Sequence, residues 1–186
     1  MAKVLHRVAI VCLRVLLGAA LVCVVKVIAN IATPVPRTNL DLAYGFLAFV
    51  GLQFGPLVGA ASGVLGHLGS DLFIYHHVWS TWAIASGLYG LVFGLWGRRI
   101  RFAQLQRLDQ RLYLHFTIVQ AVVNVLLWAV LTPGMDVYLN GDNFRNALRV
   151  GLITTAANIG TTMLISALIT HEYVRLRDWL GQHRPK

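Results

Sequence analysis

A chain of 186 residues with 57% hydrophobic and 12% charged residues has more apolar surface than one soluble core of that size can hide. Its mean hydropathy of +0.66 makes lipid part of its solvent. The formal net charge of +9 does not read as a nucleic-acid signal: twelve of the 16 Lys and Arg residues flank apolar stretches in three groups, and no DNA- or RNA-reading motif accompanies them.

The first stretch opens with Lys3, Arg7 and Arg14 and is apolar from Val8 to Ile31. It is too long for the core of a cleaved signal peptide and contains Lys26, so it reads as a retained first span. Cys12 and Cys23 lie inside it without further ligands at metal spacing and read as small apolar residues. Gly18, Ala19, Ala20 and Cys23 form a small-residue face, suited to packing inside a bundle or to docking on another membrane protein. A loop with Pro34, Pro36 and Asp41 follows.

The second and third spans, Leu42–Val58 and Gly59–Val78, are separated by little more than the Gly55-Pro56 turn. Gly55, Gly59 and Gly63 form one four-residue ladder, and Ser62, Gly66 and Ser70 a second, which predicts close helix approach. His67 and Asp71 share a helical face toward the outer end of the third span. Burying them is costly unless they pair, so they are either a structural hydrogen bond or part of a polar ligand site opening outward. A metal site would need a third ligand that the sequence does not supply. His76, His77 and Trp79 fall in the next loop.

The fourth stretch, Trp82–Trp96, is short, which leaves a five-span reading open. Arg98, Arg99, Arg101, Arg107 and Arg111 form the internal basic run. Leu112–Leu131 carries Asn124, a loop over Thr132–Asn146 holds Pro133, Asp136, Tyr138 and Asp142, and Ala147–Thr170 carries Asn158. The tail from Tyr173, with Arg175, Arg177, Arg184 and Lys186, either continues as a helix or frays. Six spans gather the three basic groups on one face, whereas five would divide them. The expectation is therefore one all-α, polytopic transmembrane domain over residues 1–186, six helices, with both termini cytoplasmic in a bacterial plasma membrane.

No Walker A, H-E-x-x-H, G-x-S-x-G or Cys-pair metal motif occurs, and the membrane-embedded charges reduce to Asp71 and Lys26. Neither catalytic nor metal residues are expected. Tyr44, Phe46, Tyr75, Trp79, Trp82, Trp128 and Tyr138 gather toward the outer side, either as an interfacial belt or as a cap over a planar organic ligand.

The segments Thr38-Asn39-Leu40-Asp41, Tyr44-Gly45-Phe46-Leu47-Ala48, Phe54-Gly55-Pro56-Leu57-Val58-Gly59, Gly66-His67 and Asp71 carry a resemblance, in order. So do Trp82 to Leu88, Val119 to Asn124 and Gly151 to Asn158. Together they resemble substrate-binding S components of energy-coupling-factor (ECF) transporters, of the riboflavin-type, cobalamin-related subfamily, from roughly Ala19 to Thr170.

That resemblance implies a six-helix subunit that captures a vitamin from outside and docks on a transmembrane scaffold with two ATPase subunits. It implies no cofactor of its own and no enzymatic activity, with ATP used by the partners. The expected ligand contacts are Asn39, Asp41, Tyr44, His67, Asp71, Tyr75, Trp79, Trp82, Asn124, Trp128 and Asn158. The docking face falls on Ala19 and Cys23, where the family more often has Ala-x-x-x-Ala. A corrinoid such as cobalamin is the first ligand expected, over a wide site bordered by Pro34–Asp41, Tyr75–Trp82 and Met135–Asn143, with His67, His76 or His77 near cobalt in a minority reading; riboflavin is the second. The residues by themselves leave two other classes open, a lipid- or isoprenoid-modifying enzyme and a structural membrane protein without ligand.

Overall fold

A computed structural model of the chain describes residues 1–32, 39–105 and 110–182. Pro34, Pro36, Thr38, Arg107, Asp109, Arg184 and Lys186 lie outside the described residues, as do the side chains of Asn39, Arg177 and Asp178.

Among the described residues seven α-helices follow one another: α1 (Ala2–Ile28), α2 (Ala43–Phe54), α3 (Pro56–Tyr75), α4 (Ser80–Arg99), α5 (Gln110–Asn124), α6 (Thr132–Asn140) and α7 (Phe144–Gln182). Helices α5 and α6 are joined without a break by a π-helical segment, Val125–Leu131, so the chain makes six helical passes. The segments Ala2–Ile28, Pro56–Tyr75, Gln110–Asn140 and Phe144–Tyr173 are each long and apolar enough to cross a membrane. Between α1 and α2, β1 (Asn30–Ala32) and β2 (Asn39–Asp41) pair antiparallel with Asn30 opposite Asp41. Strands this short give no periodicity in the sequence.

Two expected boundaries are corrected. The loop expected over Thr132–Asn146 is helical apart from residues 141–143: α6 continues directly from the π-helical segment and ends only at Gly141, whose φ of +71° is a left-handed stop. The fourth span is not short: α4 runs for 20 residues, and the glycines that depress its hydropathy are where it meets α3. Of the two readings left open for the tail from Tyr173, the helical one holds, since α7 continues to Gln182.

The two small-residue ladders of α3 serve two different neighbours. A Cβ added at Gly59 would strike the carbonyl of Gly90, one at Gly90 would strike the carbonyl of Gly59, and one at Gly63 the carbonyl of Ser86. Backbones of α3 and α4 therefore touch, as small residues permit in lipid, where apolar burial alone does not hold helices together. The other ladder receives α1: the Ser62 hydroxyl donates to the Val15 carbonyl at 3.2 Å, and a Cβ at Gly66 would lie 2.7 Å from that of Val22. Helix α2 ends at Gly55, whose φ of +92° is a conformation that L side chains avoid, and Pro56 starts α3 at once.

Contacts define two ends of the bundle. At the Gly55 end, the Arg14 guanidinium lies over the Phe54 ring at 5.3 Å and the Gln53 amide donates to the Tyr173 hydroxyl at 2.7 Å. At the Asp41 end, Lys26 pairs with Asp41, and Asp136 accepts from α4. Between them lies an aromatic and aliphatic core from α2, α4, α5 and the π segment, including Tyr44, Leu47, Tyr89, Phe93, Phe116 and Trp128.

Candidate functional site

The Asp41 end holds the polar groups that an apolar bundle can least tolerate without partners. Ribbon pairing brings Asp41 to the last turn of α1, where its carboxylate meets the Lys26 ammonium. The same carboxylate accepts the Ala43 N–H at 2.8 Å, which caps the start of α2, and the Asp41 carbonyl accepts the Thr161 hydroxyl of α7 at 3.0 Å. One residue thus joins α1, α2 and α7.

A hydrogen-bonded chain crosses the next layer. The Tyr44 hydroxyl lies 3.1 Å from Ser86 Oγ, Ser86 Oγ lies 2.8 Å from His67 Nδ1, and His67 Nε2 lies 3.4 Å from an Asp71 oxygen. The second Asp71 oxygen accepts the Trp79 N–H at 3.0 Å, at the N-cap of α4. With the proton on Nε2, every donor has an acceptor: Tyr44 donates to Ser86, Ser86 to His67 and His67 to Asp71. His67 and Asp71 are buried, with 5% and 3% of their surfaces exposed, so these partners are what makes their burial tolerable.

Aromatic planes close over this chain. Trp82 and Trp128 stack with centroids 5.4 Å apart and 26° between planes, and the Trp128 ring meets Tyr44 at 4.8 Å. The Lys26 ammonium sits 5.2 Å from the Tyr44 ring centre. Trp82 is held by its indole N–H, which donates to Asp136 at 3.0 Å, while Thr81 and Asn140 donate to the other oxygen of that carboxylate.

Deeper in, polar side chains are buried without full partnership. Asn158, Gln120, Asn124 and Trp128 are each 0% exposed. The Asn124 amide donates to the Gln120 carbonyl and side chain at 2.8 and 3.1 Å. Among the described residues, no hydrogen-bond partner reaches Gln120 Nε2, Trp128 Nε1, the Thr132 hydroxyl or either amide atom of Asn158. One turn beyond Asn158, Thr162 meets the Tyr89 hydroxyl at 3.1 Å, and the Tyr89 ring lies 5.3 Å from Tyr44. The unpartnered groups therefore border the aromatic set. Each orphan costs about 1–3 kcal/mol in a folded interior, so a cluster of them marks a place where stability has been given up for another purpose. The π segment that carries Trp128 is itself a feature frequent at functional sites.

Of the expected ligand residues, Asp41, Tyr44, His67, Asp71, Trp82, Asn124, Trp128 and Asn158 are gathered around this interior. The rings of Tyr75 and Trp79 are not: they pack on each other at 5.1 Å beside the exposed His77, and Trp79 touches the hydrogen-bonded chain only through its N–H on Asp71. The backbone of Asn39 lies in β2. Ala19 and Cys23 face α3 rather than a free surface. Ala19 is 8% exposed, with its carbonyl 3.0 Å from the Cβ position of Gly66, and Cys23 Sγ lies 3.2 Å from that of Gly69. Of the two readings of this small-residue face, packing inside the bundle accounts for the contacts of Ala19, while Cys23 is half-buried. Asp136, Ser86 and Gln120 were not singled out from the sequence. The Thr132-Pro133 pair made Asp136 look like a loop residue, and only its four-residue spacing from Thr132 hinted at a helical face. Among the described residues no three His, Cys, Asp or Glu side chains are placed to hold a metal ion.

A six-pass helical bundle with an enclosed polar and aromatic interior at one end has the form of a membrane protein that binds a solute within its bundle. A family model described as "ECF-type riboflavin transporter, S component" matches residues 9–175, and the chain belongs to that family, whose members are substrate-binding subunits of transporters. Similar proteins include a UPF0397 protein of Streptococcus gordonii, 36% identical over 89% of this chain and 88% of its own length. A UPF0397 protein of Exiguobacterium sp. is 33% identical over 89% of this chain and 90% of its own. One from Streptococcus pneumoniae is 35% identical over the same shares.

Proposed function

We propose that this S component captures a vitamin at the Asp41 end, and that the ligand is a planar nitrogen heterocycle of the flavin type. The observation that carries the reading is the set of unpartnered amide and indole groups of Asn158, Gln120 and Trp128 beside the Trp82–Trp128–Tyr44 planes. Amides offer a donor and an acceptor side by side, which complements the imide edge of such a heterocycle, and the aromatic faces supply stacking. The riboflavin named in the family description supports the same class.

A corrinoid takes second place. It is bulky and asks for a wide, loop-bordered mouth, whereas residues Thr132–Asn140, expected to supply part of that border, form a helix. ATP hydrolysis falls to two partner ATPases on a transmembrane scaffold, with the basic Gly55 end in the cytoplasm and the Asp41 end outside. The surface α1 offers that scaffold is its exposed stripe of Leu13, Leu16, Leu17, Ala20, Val24 and Val27.

Riboflavin and cobalamin titrated into the detergent-purified chain, with tryptophan fluorescence and calorimetry, test the reading. Riboflavin is expected to bind and quench fluorescence, and Asn158→Leu to lose binding. Cobalamin binding without riboflavin binding would replace the ligand and keep the transporter. Folded protein that binds neither would overturn the flavin and corrinoid readings together.

A further inference from the structure

The Gly55 end, which the ligand reading leaves unused, contains two adjoining recesses of opposite character. The first is a crevice of about 340 Å³ between α2, α4, α5 and α7, walled by Trp96, Ile100, Phe102, Tyr113, Phe116 and Ala167. It is in the size range of small-ligand clefts and largely apolar, with Gln110, Ser166 and His171 as its polar lining. The second, about 240 Å³, is bordered by Gln53, Phe54, Arg98 and Arg101. Leu52 and Phe102 line both, so the two share a wall.

Among the described residues the cationic recess has no counter-charge. Three guanidinium groups belong to this end: Arg98 and Arg101 border the recess, and Arg14 stands over the ring of Phe54, which also borders it, at 5.3 Å. Among the described residues no carboxylate pairs with any of the three; the nearby Glu172 is engaged by His171 and Arg175. Gln53 donates its amide N–H to Tyr173, while its Oε1 is buried without a partner among the described residues. Arg101 has a φ of +52°, a left-handed conformation uncommon outside glycine, and this turn places Arg101 in the exposed recess while Phe102 is buried behind it.

An apolar chamber beside a cationic one is complementary to an amphiphile with an anionic head. We propose that this pair of recesses is a binding site for an anionic phospholipid, with one acyl chain in the crevice, the phosphate on Arg98 and Arg101, and a headgroup hydroxyl donating to Gln53. The guanidinium fork suits phosphate oxygens, and a hydroxylated head such as glycerol supplies the donor that Gln53 lacks. The level is right, because the basic groups that flank the spans lie where headgroups do.

The test is native mass spectrometry of the full detergent-purified chain with phosphatidylglycerol or phosphatidylcholine of the same acyl chains. Phosphatidylglycerol adducts should survive detergent that strips phosphatidylcholine. The double variant Arg98→Gln/Arg101→Gln should weaken phosphatidylglycerol binding about thirtyfold, the loss for two arginines attracting an anionic headgroup. Ala167→Trp, which fills the crevice, should weaken both lipids; if it does not fold, the arginine variant, altered only at exposed positions, decides alone. Equal retention of the two lipids by the unaltered chain, or undiminished phosphatidylglycerol binding in the arginine variant, would overturn the proposal. So would competition by free glycerol phosphate at lipid-like concentrations, which needs no crevice. Adducts that form only with a second protein chain present would assign the crevice to a partner helix instead.

Discussion

His67 Nδ1 lies 2.8 Å from the Ser86 hydroxyl, and this contact links the polar side chains of α3 and α4 at the level where Tyr44 enters from α2. Ser86 is both acceptor for Tyr44 and partner for His67, so its loss orphans two buried groups. Ser86→Ala is expected to destabilise the protein by about 2–4 kcal/mol, and Tyr44→Phe, which removes one end of the chain, by about 1 kcal/mol. Thermal unfolding in detergent ranks the two. Equal melting temperatures would show that Ser86 is not the hub.

The reciprocal contact of Gly59 and Gly90 predicts a steep steric response. Gly90→Ala would force α3 and α4 apart and should cost about 1–3 kcal/mol, and Gly59→Val more. Gly160→Ala is the control. Nothing lies within 4 Å of a Cβ there, so the substitution should be neutral or gain up to about 1 kcal/mol in helix propensity. The comparison is read from detergent melting curves of the three variants.

Lys26 and Asp41 predict a non-additive pair. Their side chains are 12% and 13% exposed, so Lys26→Met leaves a poorly solvated carboxylate and should cost about 3 kcal/mol. Adding Asp41→Asn should recover much of that loss, because the amide oxygen can still accept the Ala43 N–H without a bare charge. A double-mutant cycle in which the two losses simply add would show the contact to be energetically idle.

Asn158→Leu separates stability from capture. With both amide atoms unpartnered among the described residues, an apolar side chain of similar size should raise stability by about 1–2 kcal/mol while abolishing ligand binding. A variant that melts earlier and still binds would assign Asn158 to structure.

The all-helical bundle and the two ladders of α3 were legible in the sequence, because each is a one-dimensional signal. Hydropathy over about 20 residues reports a span, and a four-residue spacing of Gly or Ser reports one helical face. His67 and Asp71 were legible for the same reason. The partner of His67 was not, since Ser86 lies 19 positions away on another helix and serine is unremarkable in such a span. Asp136 was misplaced because Thr132-Pro133 signals a break and a helix start equally well. The face of Ala19 and Cys23 was ambiguous in principle: the small residues that admit a foreign helix admit α3 just as well.

The π segment makes the fifth pass two differently phased halves. The Thr132 N–H reaches back to the Leu127 carbonyl, five residues away, so the chain carries an extra residue relative to an α-helix of the same rise. Removing one residue between Val125 and Leu131 would leave the pass long enough for the bilayer but swing Asp136 away from Thr81 and Trp82. Related sequences that differ by a single gap in this stretch would share a hydropathy plot and yet present different lining residues, so specificity in this fold can be rewritten by an insertion rather than a substitution.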